Sequence, residues 1–404
     1  MFVSLRYMEN SFFNRRNGAI DMLRGLTMFL MIFVNDLWTV GDVPHFLEHA
    51  GTHEDAMGLA DIVFPMFLFA VGLSIPYAIE HRFAKFIPAE RTLGHIISRT
   101  FALLVMGVFL VNVDRDFSTI LGIGQEAFQL MMLAGFFLVW NAWPRDLKAA
   151  RWLRIAGAVL LLFLAVIFRN GRGGMMQARW WGILGLIGWA YLFTATAYLL
   201  ARKKPGILVL IWLGAIVLNI LTAPTRSGEP LLGDRNILSD FARALNIDNG
   251  YGLIMTVGGV ITTLACRRFA GKKFFSQAAW GIAAVVILLA GGFLSHRLQI
   301  ISKNIGTLPW CLYVCAIGVA AFLLLSLLEK RGLTHWYAPF RPAGIATLTV
   351  YMVPYLYECL GSLVGLEWPD WLDGWAGIAK CVLFSFLCIW TAALLGKAGL
   401  KLKI

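Results

Sequence analysis

A chain of 404 residues that is 59% hydrophobic and only 14% charged, with a mean hydropathy of +0.72, has too few polar side chains to cover a water-soluble globule. The net charge of +12 would suit nucleic acid, but the basic residues sit in short stretches between long apolar runs, where they set topology instead. Composition thus predicts an all-α polytopic integral membrane protein. Residues 1–404 are expected to form a single transmembrane domain with about 11–12 spans.

The opening stretch MFVSLRYMENSFFNRRNGAI lacks the basic, apolar and cleavage-site succession of a signal peptide, so the first helix is expected to stay as an uncleaved anchor. Apolar segments are expected near 19–40, 58–80, 94–113, 119–141, 152–168, 179–201, 205–223, 249–266, 277–294, 308–328, 342–364 and 374–396. With the N-terminus in the cytoplasm, most of the 35 Lys and Arg fall on the inner side. Among them are Arg15/Arg16, Arg82/Lys85/Arg91, Arg145/Lys148/Arg151/Arg154, Arg202 to Lys204 and Arg267/Arg268/Lys272/Lys273. The positive-inside rule then predicts that both termini are cytoplasmic and that the His45–His53 loop, which has no Lys or Arg, lies outside. The longest stretch between spans, 224–249, is read as an outer loop.

Four of the six cysteines lie inside apolar runs and none has metal-ligand spacing, so free buried thiols and no metal are expected. There is no P-loop, no dinucleotide fingerprint, no GxSxG elbow and no convincing internal repeat.

The first two apolar runs carry Asp21, Arg24, Asn35, Asp36 and Asp61 at or inside their ends. A charge in hydrocarbon costs about 2.5–3.5 kcal/mol even on lenient insertion scales, so such residues need partners or a task. At about 100° per residue, Arg24 and Asn35 fall on the same narrow helix face as Asp21, and Pro65, Gly72 and Pro76 fall near Asp61 on the second. Two such faces suit a polar pocket; the alternative is that Asp21 and Arg24 form an end-of-helix ion pair and Asp61 a helix cap. Further polar groups sit deeper in the chain: Gln125, Glu126 and Gln129, then Tyr351, Tyr355 and Glu358. Each suits either a pocket or interhelical hydrogen bonding. His296 and Lys303 flank a later outer loop, as sugar ligands or solvated groups.

The stretches IDMLRGLTMFLMIFVND, LEHA and LADIVFPMFLFAVGLSIP, with the later IISKNIGTLPWCLY, resemble the transmembrane acetyltransferases related to heparan-alpha-glucosaminide N-acetyltransferase. Within these the bacterial DUF5009 branch is the most similar. The core of the resemblance is 15–80. It implies a multi-pass protein of the bacterial cytoplasmic (inner) membrane that moves the acetyl group of cytoplasmic acetyl-CoA to the amine of an amino sugar such as glucosamine, and it is compatible with a homodimer. The family's catalytic loop histidine falls on His49, the Asn of FVN on Asn35, the Asp before VFP on Asp61 and the Asp of DxxRG on Asp21. The longer loop GTHEDAMG carries its own His53 beside this match.

The residue chemistry is consistent with acyl transfer. Histidine takes and releases a proton near neutrality, a carboxylate such as Asp61 orients it, and the Asn35 amide suits a carbonyl or sugar. Arg24, with Asp21, is expected toward the CoA, and Asp36 and Glu358 toward the acceptor. The rival reading is a proton-coupled secondary transporter of a sugar or small solute, which twelve helices and intramembrane acids would also suit; polar residues at matched positions in two halves, its signature, are not visible. A non-catalytic membrane scaffold leaves the intramembrane charges unexplained.

Overall fold

The computed structural model describes residues 17–404 apart from 115–116, 145, 181, 234–235, 273, 367–368 and 370. Arg15, Arg16, Arg145 and Lys273 of the expected basic clusters lie outside these. The fold is all-α, with one small pair of strands among the described residues. Ten helices there are long and apolar enough to cross a bilayer. The protein is a multi-pass membrane protein.

The chain divides into two compact units, and three helices, α1 (Gly18–Asp36), α3 (Ala89–Val113) and α6 (Ile183–Ala201), run from one into the other. The first unit takes residues 17–27, 44–97 and 189–336. It contains α2 (Leu59–Ala84), α7 (Pro205–Thr222), α8 (Ile237–Ala244), α9 (Tyr251–Phe269), α10 (Phe274–Ser295) and α11 (Leu308–Lys330). The second takes 28–43, 98–188 and 337–404, with α4 (Gln125–Trp140), α5 (Ala150–Ile167), α12 (Arg341–Ile345), α13 (Thr347–Leu363) and α14 (Gly374–Lys397).

In the first unit, small residues let α2 and α9 meet backbone to backbone. A Cβ at Gly72 would collide with the Thr256 carbonyl, and one at Gly259 with the Phe69 carbonyl. Thr263 Oγ1 donates to Leu73 O across the same crossing at 2.9 Å. The Phe69 ring packs against Gly318 of α11. Pro65 and Pro76 are buried inside α2 without ending it, as neighbouring helices permit in a membrane. At one end of the unit, Arg202 pairs with both oxygens of Glu80 at 3.1 Å and Tyr198 donates to the same carboxylate at 3.0 Å. Glu329 accepts the Gly18 and Ala19 N–H groups at 2.9 Å each, a negative charge on the positive end of α1. The α9 crossing and the Glu80 ties hold α2, and with it the position of Asp61 near its start.

In the second unit, α4 and α5 pack closely through Gly135 against Leu161 and Gly157 against Leu138. Phe29, Phe340 and Phe386 form a ring cluster with centroids 4.8–5.3 Å apart. Two expected segments take a different form. The segment expected at 119–141 is a helix of only 16 residues, because Phe117–Thr119 pairs with Phe168–Asn170 as strands and the chain then turns through Gly122 at φ +66°. That expected at 342–364 is broken at Ala346, whose φ of −123° and ψ of 42° leave the helical region between α12 and α13. Hydropathy reads apolar composition, and neither a strand pair nor a single non-helical residue interrupts it.

Candidate active site

A single-turn helix at His45–Leu47 and an extended Glu48 deliver His49 to the start of α2. The chain passes so close that a Cβ on Gly58, the residue before α2, would collide with the Glu48 carbonyl. Asp61, in the first turn of α2, is almost fully buried and divides its two oxygens. Oδ1 lies 2.7 Å from His49 Nδ1. Oδ2 accepts the Ala50 N–H at 2.9 Å and the Gly58 N–H at 3.1 Å. Asp61 is therefore a helix cap and a histidine partner at once. An ionised carboxylate only accepts, so Nδ1 carries the ring proton and Nε2 is left as the basic nitrogen. The Asp61 main-chain carbonyl is itself fixed by Trp310 Nε1 at 3.0 Å.

A second loop closes on the first. Four consecutive residues, Ile301 to Asn304, reach the His49 loop. Ile301 N–H donates to Asp55 Oδ1 at 2.8 Å, Ser302 Oγ to Thr52 O at 3.1 Å and Asn304 Nδ2 to Ala50 O at 3.4 Å. Between them Lys303 Nζ lies 3.1 Å from His49 Nδ1 and 3.3 Å from Nε2. The lone-pair directions of the two ring nitrogens diverge, and a point this close to both in the ring plane would collide with the carbon between them. The ammonium therefore lies over the ring face rather than in line with either nitrogen. Burial holds the Lys303 pKa below its usual value, although the Asp61 charge pulls the other way. Asp55 also gathers His296 Nε2 at 2.8 Å and Arg226 Nη2 at 2.7 Å. Burial raises the Asp55 pKa, but the donors from Ile301, His296 and Arg226 outweigh it and hold the carboxyl below its ordinary value.

A family model described as "Domain of unknown function (DUF5009)" matches residues 16–229, more than half of the chain. The chain belongs to the DUF5009 family. It is also similar to the mouse and human proteins named heparan-alpha-glucosaminide N-acetyltransferase, with 33% identity over 97 residues in each case. That stretch is 24% of this chain and 14% of each relative, so the chain matches a small part of their length.

The other residues singled out in this DUF5009 chain fall in both units, with Asp36 and Glu358 within electrostatic range of each other in the second. Asp21 and Arg24 are half-buried near the start of α1, in the first unit. Asn35 and Asp36 end α1 in the second unit, Asn35 exposed and Asp36 ion-paired with Lys380 at 3.1 Å. Lys380 also donates to Thr39 Oγ1 at 2.5 Å. Glu358 is exposed on α13. The polar residues of α4 and α13 tie helices together: Gln129 accepts from Cys359 Sγ at 2.7 Å and Glu126 from Ser362 Oγ at 2.8 Å. His45 faces Glu54 at 3.3 Å, and His53 is exposed in a turn. Lys303 is the member of the constellation to which sequence reasoning gave no role at His49. Its signal was only its place in ISKN, because the contact joins loops far apart in sequence.

Proposed function

We propose that this protein is a membrane-embedded, acetyl-CoA-dependent N-acetyltransferase acting on the amine of an amino sugar such as glucosamine. The observation that carries the reading is His49, its Nδ1 on the Asp61 carboxylate and an ammonium over its ring. Similarity to proteins named N-acetyltransferases supports the same class. Such a transfer needs a base for the amine proton and positive charge near the carbonyl oxygen.

In this reading His49 Nε2 takes the proton as the amine nitrogen bonds to the thioester carbonyl carbon. Asp61 offsets the positive charge formed on the ring. Lys303, held by the contacts of its neighbours, faces the negative charge that develops on the carbonyl oxygen. When the carbon–sulfur bond breaks, His49 returns the proton to the departing thiolate. Arg24 and Asp21 remain the proposed contacts toward the CoA moiety, with Asn35 toward a carbonyl or the sugar and Asp36 and Glu358 toward the acceptor. An acceptor that used Asp36 would compete with Lys380 for its carboxylate.

The test is release of free CoA thiol by purified protein given acetyl-CoA and glucosamine, with N-acetylglucosamine identified by mass spectrometry. Product that depends on the protein and is absent with His49→Ala supports the reading. No product from glucosamine or any amino sugar, together with glucosamine uptake into proteoliposomes without acetyl-CoA, would replace it with the transporter.

A further inference from the structure

Residues 223–250 join two spans, α7 and α9, and carry the short helix α8. Asn236 caps it by accepting the Ser239 N–H at 2.7 Å. At about 100° per residue the eight positions divide into three faces. Leu238 and Ala242 share one; Ala242 is buried, and α8 packs on α7. Asp240 and Arg243 share another and pair with each other at 2.6 Å. Ile237 and Phe241 lie between these and are 89% and 60% exposed.

Two more leucines precede the helix in the same loop. Leu231 and Leu232 are exposed, and Leu232 N–H donates to Leu221 O in the last turn of α7 at 3.3 Å. That bond places the pair at the very end of a span. α7 presents most of its apolar surface outward, Leu210 and Val217 included, so the surface continuous with Leu231 and Leu232 is one that lipid covers. A short helix with one side on the protein, one polar and one bulky and apolar has the make-up of a segment lying in the bilayer interface.

We propose that Leu231, Leu232 and α8 form an interfacial anchor that sets Leu231, Leu232, Ile237 and Phe241 into the bilayer at the level where α7 ends, with Asp240 and Arg243 facing water. The partner is the lipid surface itself. Lipid on this face removes from water four large side chains that a water-facing loop would leave exposed.

Spin labels placed by Phe241→Cys, Arg243→Cys and Leu210→Cys in full-length protein in liposomes test this, with the parent chain, five of whose six cysteines are buried, labelled as the blank. Collision with oxygen relative to a water-soluble nickel complex reads the depth of each label. The expected result is a ratio at position 241 close to that at 210 in the span and well above that at 243. A ratio at 241 equal to that at 243 overturns the proposal, as does a label at 241 shielded from both reagents, which would mean that protein covers the face. Should Phe241→Cys not yield a monodisperse protein, Ile237→Cys is read in the same way against the same two references.

Discussion

The Lys303 ammonium stands over the imidazole of His49, with Nζ within 3.3 Å of both ring nitrogens. A cation in that position does not compete for the Nε2 lone pair, yet it brings positive charge to where a substrate in line with Nε2 would react. Its cost is desolvation, visible in the lowered pKa. For a lysine with a depressed folded-state pKa, the charged form opposes folding below that value and the penalty fades as pH rises through it. Lys303→Met is accordingly expected to leave the melting temperature at neutral pH unchanged or higher, while acetyl transfer falls by about 10²-fold, the scale of a lost oxyanion donor. Scanning fluorimetry beside the thiol-release assay decides. A variant that melts lower and turns over normally would make Lys303 a tie between loops.

Asp61 serves two structures through two oxygens, and substitution separates them. Asp61→Asn retains a carbonyl oxygen for the backbone donors but loses the charge that steadies His49. Transfer is expected to fall by at least about tenfold, as for other outer partners of a working histidine, with the protein still folded. Asp61→Ala also strips the cap, a loss of about 1 kcal/mol, and is expected to melt lower than Asp61→Asn. Equal turnover by Asp61→Asn and the parent would leave the carboxylate as a cap alone.

The membrane class and most of the helices were legible because hydropathy needs only composition over a span, and ten spans are apolar along their length. His49 and Asp61 were singled out through the resemblance, whose loop histidine and Asp before VFP fall on them, and the short loop between these positions brings the two side chains together. The break at Ala346 and the strand pair at Phe117–Thr119 were not, since both are single-residue or three-residue backbone events inside apolar sequence. Lys303 was out of reach for a different reason: 254 residues separate it from His49, and no periodicity reports which outer loops meet. The shared helix face of Asp21, Arg24 and Asn35 was sound geometry for one helix. Asn35 nevertheless belongs to one compact unit and Asp21 and Arg24 to the other.

The Asp55 cluster gives a stability signature on the acid side. Donors from Ile301, His296 and Arg226 lower its pKa below the ordinary 3.8 despite burial, so its contribution is complete above about pH 4 and lost as pH falls through the lower folded-state value. Asp55→Asn is expected to melt below the parent at about pH 5 and to approach it toward about pH 3. Melting curves at the two pH values check this, and a gap that stays constant would mean that the carboxyl charge does not hold the loops together.

The α2–α9 crossing has no room for a side chain. Gly259→Ala places a methyl group against the Phe69 carbonyl, and the two backbones must part. Overpacking of this kind costs about 1–3 kcal/mol, so a lower melting temperature and a weaker hold on Asp61 are expected together. Gly94→Ala, at a helical position with open space around it, is the control and is expected to behave like the parent.

The assignment of the base rests on His49 against His53, four residues on in the same loop. His49 Nδ1 is on Asp61 and its ring lies beneath Lys303, whereas His53 is exposed in a turn. If His49 is the base, His49→Ala is expected to lower transfer to glucosamine by about 10²–10⁴-fold, the contribution typical of a positioned general base. His53→Ala is expected to change it less than about twofold, since a solvated loop side chain away from special features contributes little. The pH profile adds a readout that a packing defect would not reproduce: the residual rate of His49→Ala should lose the inflection that the parent shows when its base titrates. Should His53→Ala be the inactive variant while His49→Ala keeps near-normal rates, the Asp61–His49 pair would be a structural clasp at the mouth of α2 and the proton acceptor would have to be sought on the exposed side of the loop.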